Sequence, residues 1–249
     1  MKKVKRILAG ILGILLLLTP VVLIDSMMGE PFGKANASRR AIAYAESLYP
    51  GQEFYVTGVV CERPFVFRAD VQSLQSEDTH FGVTTKYYLN TSDGPEDGIR
   101  DHELLVENGW NTLFRMSEEA AELAEAVIRL KLPELELIPL YGVNRARVFI
   151  ELCYAEDGEP TGRAEPYRDA IIRDAAFNPA ILSSVPARFS AVVQWPGEPT
   201  EADAKDILIR IKSVLEENGL PMSHYSLVLS DGSDNPGVST GIVLAKDIG

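Results

Sequence analysis

Cysteine, histidine and tryptophan are scarce in this chain: two Cys, three His and two Trp among 249 residues. Two thiols exclude a disulfide-dense mini-scaffold. No cysteine precedes Cys61, which also excludes a lipid-modified N-terminal cysteine. His80, His102 and His224 form no H-x-x-x-H pair, and no C-x-x-C is present, so zinc has no sequence support. G-x-S-x-G, a Walker loop and a G-x-G-x-x-G after a strand are missing too. Ser183-Ser184 follows Leu182 in an expected loop, and a serine without a placed base is not a nucleophile. Repeats of fixed period and low-complexity tracts are absent. With 46% apolar and 24% charged residues, the chain is neither collagen-like nor wholly disordered, and it is long enough for one large or two small domains.

Positive charge is also short. The formal net charge is -12, and four of the 24 basic residues (Lys2, Lys3, Lys5, Arg6) crowd the N-terminus. Beyond residue 24 the balance is 20 basic against 36 acidic groups. So acidic a domain repels phosphate backbones, which excludes nucleic acid as an expected partner.

The cations precede residues 7–24 (ILAGILGILLLLTPVVLI), eighteen positions without a charge, thirteen of them Leu, Ile or Val. As a helix this run spans roughly 27 Å, close to the thickness of a bilayer's hydrocarbon core. Gly10, Gly13 and Pro20 are tolerated in such a helix. Lys and Arg are retained on the cytoplasmic side, while Asp25 and Glu30 follow the run. The expectation is a single-pass anchor in the cell membrane, its partner the lipid bilayer, with the N-terminus cytoplasmic and residues 25–249 extracellular. The rival is a cleaved signal. Ala35-Asn36-Ala37 has the A-x-A form of a cleavage site, but it lies eleven residues past Ile24, and the apolar run exceeds the usual signal length.

Past the anchor the pattern is α+β: an N-terminal transmembrane helix, then two small lobes with antiparallel sheets covered by helices. The expected division is 1–28 for tip and anchor, 29–105 for an α-β-β-β lobe, 106–144 for a connecting helix and linker, and 145–249 for a second α+β lobe. Residues 25–37 read as a spacer, with Asn36 or Ser38 capping a helix that ends at Tyr49-Pro50-Gly51 and carries Ala41, Ile42, Ala45, Leu48 and Tyr49 on one face. Strands are expected at 54–61, 65–71 and 79–88, with Glu62-Arg63-Pro64 as a turn. Clean alternation in the last two argues for one wet and one dry sheet face. Residues 90–103 read as an acidic loop. A helix over 107–131 is clearest from Ser117, with Leu123, Val127 and Leu130 beside Ala120 and Ala124 as its apolar face and Pro133 as its stop. In the second lobe, strands are expected at 146–154, 188–195, 223–230 and 239–246, and a hairpin-like loop at Asp157–Gly162. Helices are expected at 166–176, ended by Asn178-Pro179, and at 201–218. The last carries a Thr200-x-x-Asp203 capping signature and the stripe Ile207, Leu208, Ile211, Val214 and Leu215.

Two clusters invite a chemical reading. Asp231-Gly-Ser-Asp-Asn-Pro-Gly resembles a calcium loop, but EF-hand spacing puts Pro236 where Gly is needed and Ile242 where Glu is needed. The acidic loop with Asp93, Glu96, Asp97 and Asp101 is either a calcium site or a solvated hairpin. Cys61 and Cys153 lie on expected strands in apolar surroundings. An oxidising compartment permits a bridge between them, and two separate buried thiols explain them equally well.

Gly29-Glu30-Pro31 after the apolar run, a helix ending Tyr49-Pro50, and Asp78-Thr79-His80-Phe81 among the strands resemble the YfjL-like family over roughly residues 5–90. That resemblance implies a membrane-anchored extracytoplasmic protein of Gram-positive bacteria and implies no catalytic residues. The Cys61-to-Pro64 turn departs from the polar strand pair usual in that family. No catalytic, cofactor-binding or metal residue is assigned, and no cofactor is expected. The expected function is a binding or interaction module at the cell surface, with an extracytoplasmic protein or wall component as partner. The alternative is a wall- or peptide-directed hydrolase using carboxylates with His80 or His102 as acid and base.

Overall fold

The computed structural model describes residues 32–63, 66–86, 96–97, 101–140, 146–154, 167, 169–232 and 237–249, together with helical positions 11, 13, 14, 16, 19 and 20. The chain is α+β and divides into two compact units, Met1–Glu107 and Asn108–Gly249. No helix among the described residues is long and apolar enough to cross a membrane, and most of the run 7–24 lies outside them. The Pro64 turn, most of the acidic loop and the Asp157–Gly162 hairpin lie outside them as well.

Unit 1 lays a helix on one sheet, and a short helical segment at 101–107 adds Val106 to its core. Helix α1 (Phe32–Leu48) starts earlier than expected, so part of the supposed spacer is helical. Ser38 is therefore not a cap; its hydroxyl donates to Lys34 O within the helix (2.9 Å). Strands β1 (Phe54–Arg63), β2 (Val66–Ser73), β3 (His80–Lys86) and β4 (Glu96–Asp97) form an antiparallel sheet in sequence order. Strand β4 falls in the segment read as a loop, pairing Glu96 and Asp97 with Thr84 and Val83. Register aligns Phe67 with Thr85, Ala69 with Val83 and Val71 with Phe81, and all six are buried. Arg68, Asp70 and Gln72 alternate onto the other face, as a two-residue period requires. Against the dry face α1 presents the i, i+4 stripe Gly33, Ala37, Ala41 and Ala45, which lets helix and sheet approach closely. Tyr49, Phe54 and Phe81 fill the end of this core, with ring centroids 6.0–6.3 Å apart.

Unit 2 is larger. Helix α2 (Trp110–Lys131) begins at Gly109, whose φ of 76° suits glycine. The helix thus runs through Ser117, which is buried mid-helix and accepts a hydrogen bond from Leu152 N–H (3.3 Å). Its buried stripe is Leu113, Met116, Ala120, Ala124 and Ile128, while Leu123 and Leu130 are 41% and 75% exposed. The helix starts at Trp110 rather than at the expected 107, and its buried face is rotated from the expected one because Leu113 and Met116 join the alanine stripe. Nor does the segment 106–144 stand apart as a connector: α2 packs on β6 (Val148–Leu152) within unit 2.

Strand β7 (Ala187–Gln194) is central, with β6 and the short β5 (Glu136–Ile138) end to end along one edge. On its other edge lies β8 (His224–Ser230), followed by β9 (Val238–Leu244). The β7–β8 pair is parallel, a correction to the expected all-antiparallel sheets. The 17-residue α3 (Glu201–Glu217) between them carries the chain back to the starting end, the usual geometry of a parallel crossover. Its Thr200–Asp203 capping box and its Ile207, Leu208, Ile211 and Leu215 stripe form as the sequence indicates. Of the helix expected at 166–176, the described residues 167 and 169–176 form turns rather than α-helix. Ala175 O accepts from Arg115 (2.9 Å), and just beyond the segment Phe177 N–H donates to Glu119 (2.6 Å). Asn178 caps a 3-10 turn at Pro179–Ser183 rather than ending a helix.

Candidate functional site

The histidines are dispersed. His80 is exposed at the start of β3, its Nδ1–H donating to Glu77 O (3.0 Å). Just before it, Asp78 and Thr79 are buried in a turn closed by the Ser76–Thr79 hydroxyl pair (2.6 Å). His102 lies against Phe81, ring to ring at 6.1 Å. Asp101, one of the acidic-loop candidates, accepts from Arg68 Nη2 (2.9 Å), and Asp70 accepts from Arg68 Nε (3.2 Å). The Arg68 guanidinium lies over Gly82, where any Cβ would collide with it. Burial opposes this charge, but the flanking carboxylates prevail and raise the Arg68 pKa. Glu96 and Asp97 belong to β4, and Asp93 lies outside the described residues. Among the described residues no group of three His, Cys, Asp or Glu is arranged to hold a metal.

His224 alone is drawn into a polar cluster, at the shared end of β6, β7 and β8. Cys153 follows β6 in left-handed backbone (φ 60°) and turns the chain so that Tyr154 N–H donates to Pro186 O (3.2 Å). The Tyr154 ring then meets His224 edge-on at 5.0 Å and carries the Arg188 guanidinium 4.6 Å above it. Arg188 pairs with Glu151 (2.7 Å) across the β6–β7 register. Ser223 Oγ sits 2.8 Å from His224 Nδ1, yet it also accepts from Ala187 N–H (3.0 Å) and donates to Ala187 O (2.9 Å). A hydroxyl has one proton. With that proton on Ala187 O, Oγ accepts from Nδ1–H, and the serine staples β7 to β8 rather than serving as a nucleophile. His224 and Tyr154 are 4% and 6% exposed, so this cluster orients strand ends and offers little surface to a ligand.

A concave surface lies on the helix side of the same sheet. A half-open groove of about 410 Å³ runs between α3 and β9. Leu208, Ala204, Val243 and Ile248 form its apolar floor, and Glu201, Lys205 and Asp247 stand at its rim. Helical periodicity puts Ala204 and Leu208 on one side of α3, and register sets Val243 beside Tyr225 on the covered face. Lys212 Nζ donates to Ile248 O (2.8 Å), holding the C-terminal turn in place. The volume is that of a small-molecule or side-chain pocket, and its lining mixes Ser239, Thr240 and the charged rim with the apolar residues in about equal measure.

No family model and no curated protein matches the chain. Among solved structures it is similar to a DUF5037 family protein from Ruminococcus gnavus, at 12% identity, over 77% of this chain and 73% of that one, with a TM-score of 0.24. Likeness at that level carries no argument about fold or activity.

Neither cysteine is in a disulfide. Cys61 is partly exposed on β1, its thiol donating to Arg63 O (3.4 Å). Cys153 is 1% exposed, and burial pushes its thiol up to about 12. Sequence reasoning missed Glu151, Tyr154, Arg188 and the groove. Alternation placed Glu151 and Arg188 on the polar faces of their strands, a legible signal. The α3–β9 groove had none, because it depends on where a crossover helix comes to rest.

Proposed function

We propose that this chain is a single-pass membrane protein, N-terminus inside, whose two α+β units form an extracytoplasmic binding module. One observation carries the reading. In the run 7–24 the described positions are helical, and Ile11, Ile14 and Leu16 are 53%, 60% and 67% exposed behind four cations. Apolar helical side chains left more than half exposed are suited to lipid. The cleavage alternative loses support from the fold: Ala35-Asn36-Ala37 lies inside α1, and Ala37 is 2% exposed. Cutting there would remove the helical turn that packs on Phe67. The resemblance to YfjL-like proteins agrees with this topology. A partner of protein or wall origin would seat an apolar group in the α3–β9 groove.

In cells stripped of wall, the protein fractionates with membranes, resists extraction by high salt, and loses both units to added protease. Leu16→Arg with Leu17→Arg costs about 5–7 kcal/mol at the helix centre and abolishes export. Mature protein beginning at Ser38 and free in the medium would refute the anchor. For the groove, crosslinking on intact cells recovers a partner with the wild type and loses it with Lys205→Glu plus Thr240→Arg. Undiminished recovery would place the seat elsewhere.

A further inference from the structure

We infer that the outer edge of β9 takes an extended peptide as an added antiparallel strand, with one apolar side chain of that peptide seated in the α3–β9 groove. The inference rests on the groove reading proposed above and narrows its partner to a peptide whose apolar residue has basic residues two positions away.

The backbone comes first. Strand β9 ends its sheet, and among the described residues no strand pairs with its outer side. Trp195 N–H donates to Ser230 O, so Ser230 and every second residue back along β8 face β7, while Tyr225 faces β9. Ala245 N–H donates to Ser223 O in the same sense. Tyr225 is opposite Val243, so Val243 turns its backbone groups inward, and Ile242 and Leu244 turn theirs outward. Leu244 is the N-cap of the 3-10 turn that follows, which takes up its carbonyl. Ile242 N–H, Ile242 O and Leu244 N–H remain for an added strand. Edges are commonly guarded by charge or proline, and β9 (VSTGIVL) has neither. The bulge at Thr240 and Gly241, opposite Leu227, confines the template to this end of the strand.

Side chains decide the occupant. A residue laid opposite Val243 points to the same face, toward Ala204 and Leu208 in the groove. Its two neighbours fall on the other face, beside Ile242, which is 50% exposed. Residues two positions away return to the groove's rim, where Glu201 and Asp247 outnumber Lys205. That balance favours basic side chains there, and three directed backbone groups select a peptide over a glycan.

The probe is the amidated peptide Lys-Thr-Leu-Thr-Lys, joined to a fluorophore through a Gly-Ser linker and titrated by anisotropy with the full chain in phosphatidylcholine nanodiscs. In antiparallel pairing the threonine after leucine lies opposite Ile242. N-methylation of that threonine removes the donor to Ile242 O and should weaken binding at least about tenfold. N-methylation of leucine, whose N–H points away from β9, should change affinity by no more than about threefold. Replacing both lysines of the probe by glutamate should weaken binding about fivefold or more at low salt. Ile242→Pro removes an outward N–H, a place where an edge strand admits proline, and should cost at least about tenfold in affinity with the tryptophan unfolding midpoint little changed. No binding, or equal losses from the two methyl groups, would overturn strand addition; the groove reading then stands or falls on the crosslinking test above. Dimers that Ile242→Pro dissolves would assign the edge to a second copy and overturn the peptide.

Discussion

Unit 1 and unit 2 each lay helix on sheet, but they close the gap with opposite materials. In unit 1 helix α1 contributes glycine and alanine, and the bulk comes from the sheet side: Phe67 beneath Gly33, and Phe54 and Phe81 with Tyr49 at the far end. In unit 2 both helices contribute large side chains, among them Leu113, Met116, Ile128, Ile207, Ile211 and Leu215, over Phe189, Tyr225, Leu227 and Leu229. A close-approach interface tolerates little added volume, whereas an interdigitated one tolerates little removal. The two cores should therefore fail in opposite directions. Both tryptophans, Trp110 and Trp195, lie in unit 2, so their fluorescence reports on that unit.

Alkali should separate the units most. In unit 2 burial raises Cys153 from 9.0 to about 12 and Tyr225 from 10.0 to about 12. Below about pH 9 both groups are protonated folded or unfolded. Between there and about pH 12 the unfolded chain releases protons that the folded unit retains, so stability falls as pH rises. Urea midpoints by tryptophan fluorescence should drop steeply from about pH 8 to about pH 11 by this linkage, and Cys153→Ala should lessen the drop. A flat profile would contradict the burial of these groups.

Ile211→Ala removes a fully buried side chain from α3 and should cost about 2–5 kcal/mol, lowering the same midpoint. In unit 1 the damaging change is an addition. Gly33→Ala would set its Cβ 2.5 Å from the Phe67 ring, which is 1% exposed and has nowhere to move. A loss of about 1–3 kcal/mol is expected, read as faster amide exchange in α1 and β2 with the tryptophan transition unchanged. Should Gly33→Ala leave exchange untouched, the close-approach account of unit 1 is wrong. Thr200→Ala is the smallest step: it removes the hydroxyl that accepts from Asp203 N–H (3.2 Å) and should lower the unit 2 midpoint by about 1 kcal/mol. Thr200→Ser, which keeps the cap, should restore it.

By itself the sequence determined the features that depend on neighbours along the chain. The Thr200–Asp203 box and the Ile207–Leu215 stripe of α3 need only i, i+3 and i, i+4 relations, and the wet and dry faces of β2 and β3 need only a period of two. The charge asymmetry of the first 24 residues is likewise local. Tertiary structure decided what depends on distant partners. Ser117 has the chemistry of a cap but lies mid-helix, because Leu113 and Met116 join the buried stripe and Leu152 N–H meets its hydroxyl. Residues 169–176 take turns instead of a helix, and the end of the segment is tied to α2 through Arg115 on Ala175 O and Glu119 on Phe177 N–H. The parallel β7–β8 pair and the groove beside it follow from where α3 docks. The Arg188–Tyr154–His224 cluster follows from a register that brings Glu151, Arg188 and His224 side by side across three strands. Periodicity is written in spacing along the chain, whereas register, docking and the meeting of side chains far apart in sequence depend on the free energy of the assembled core.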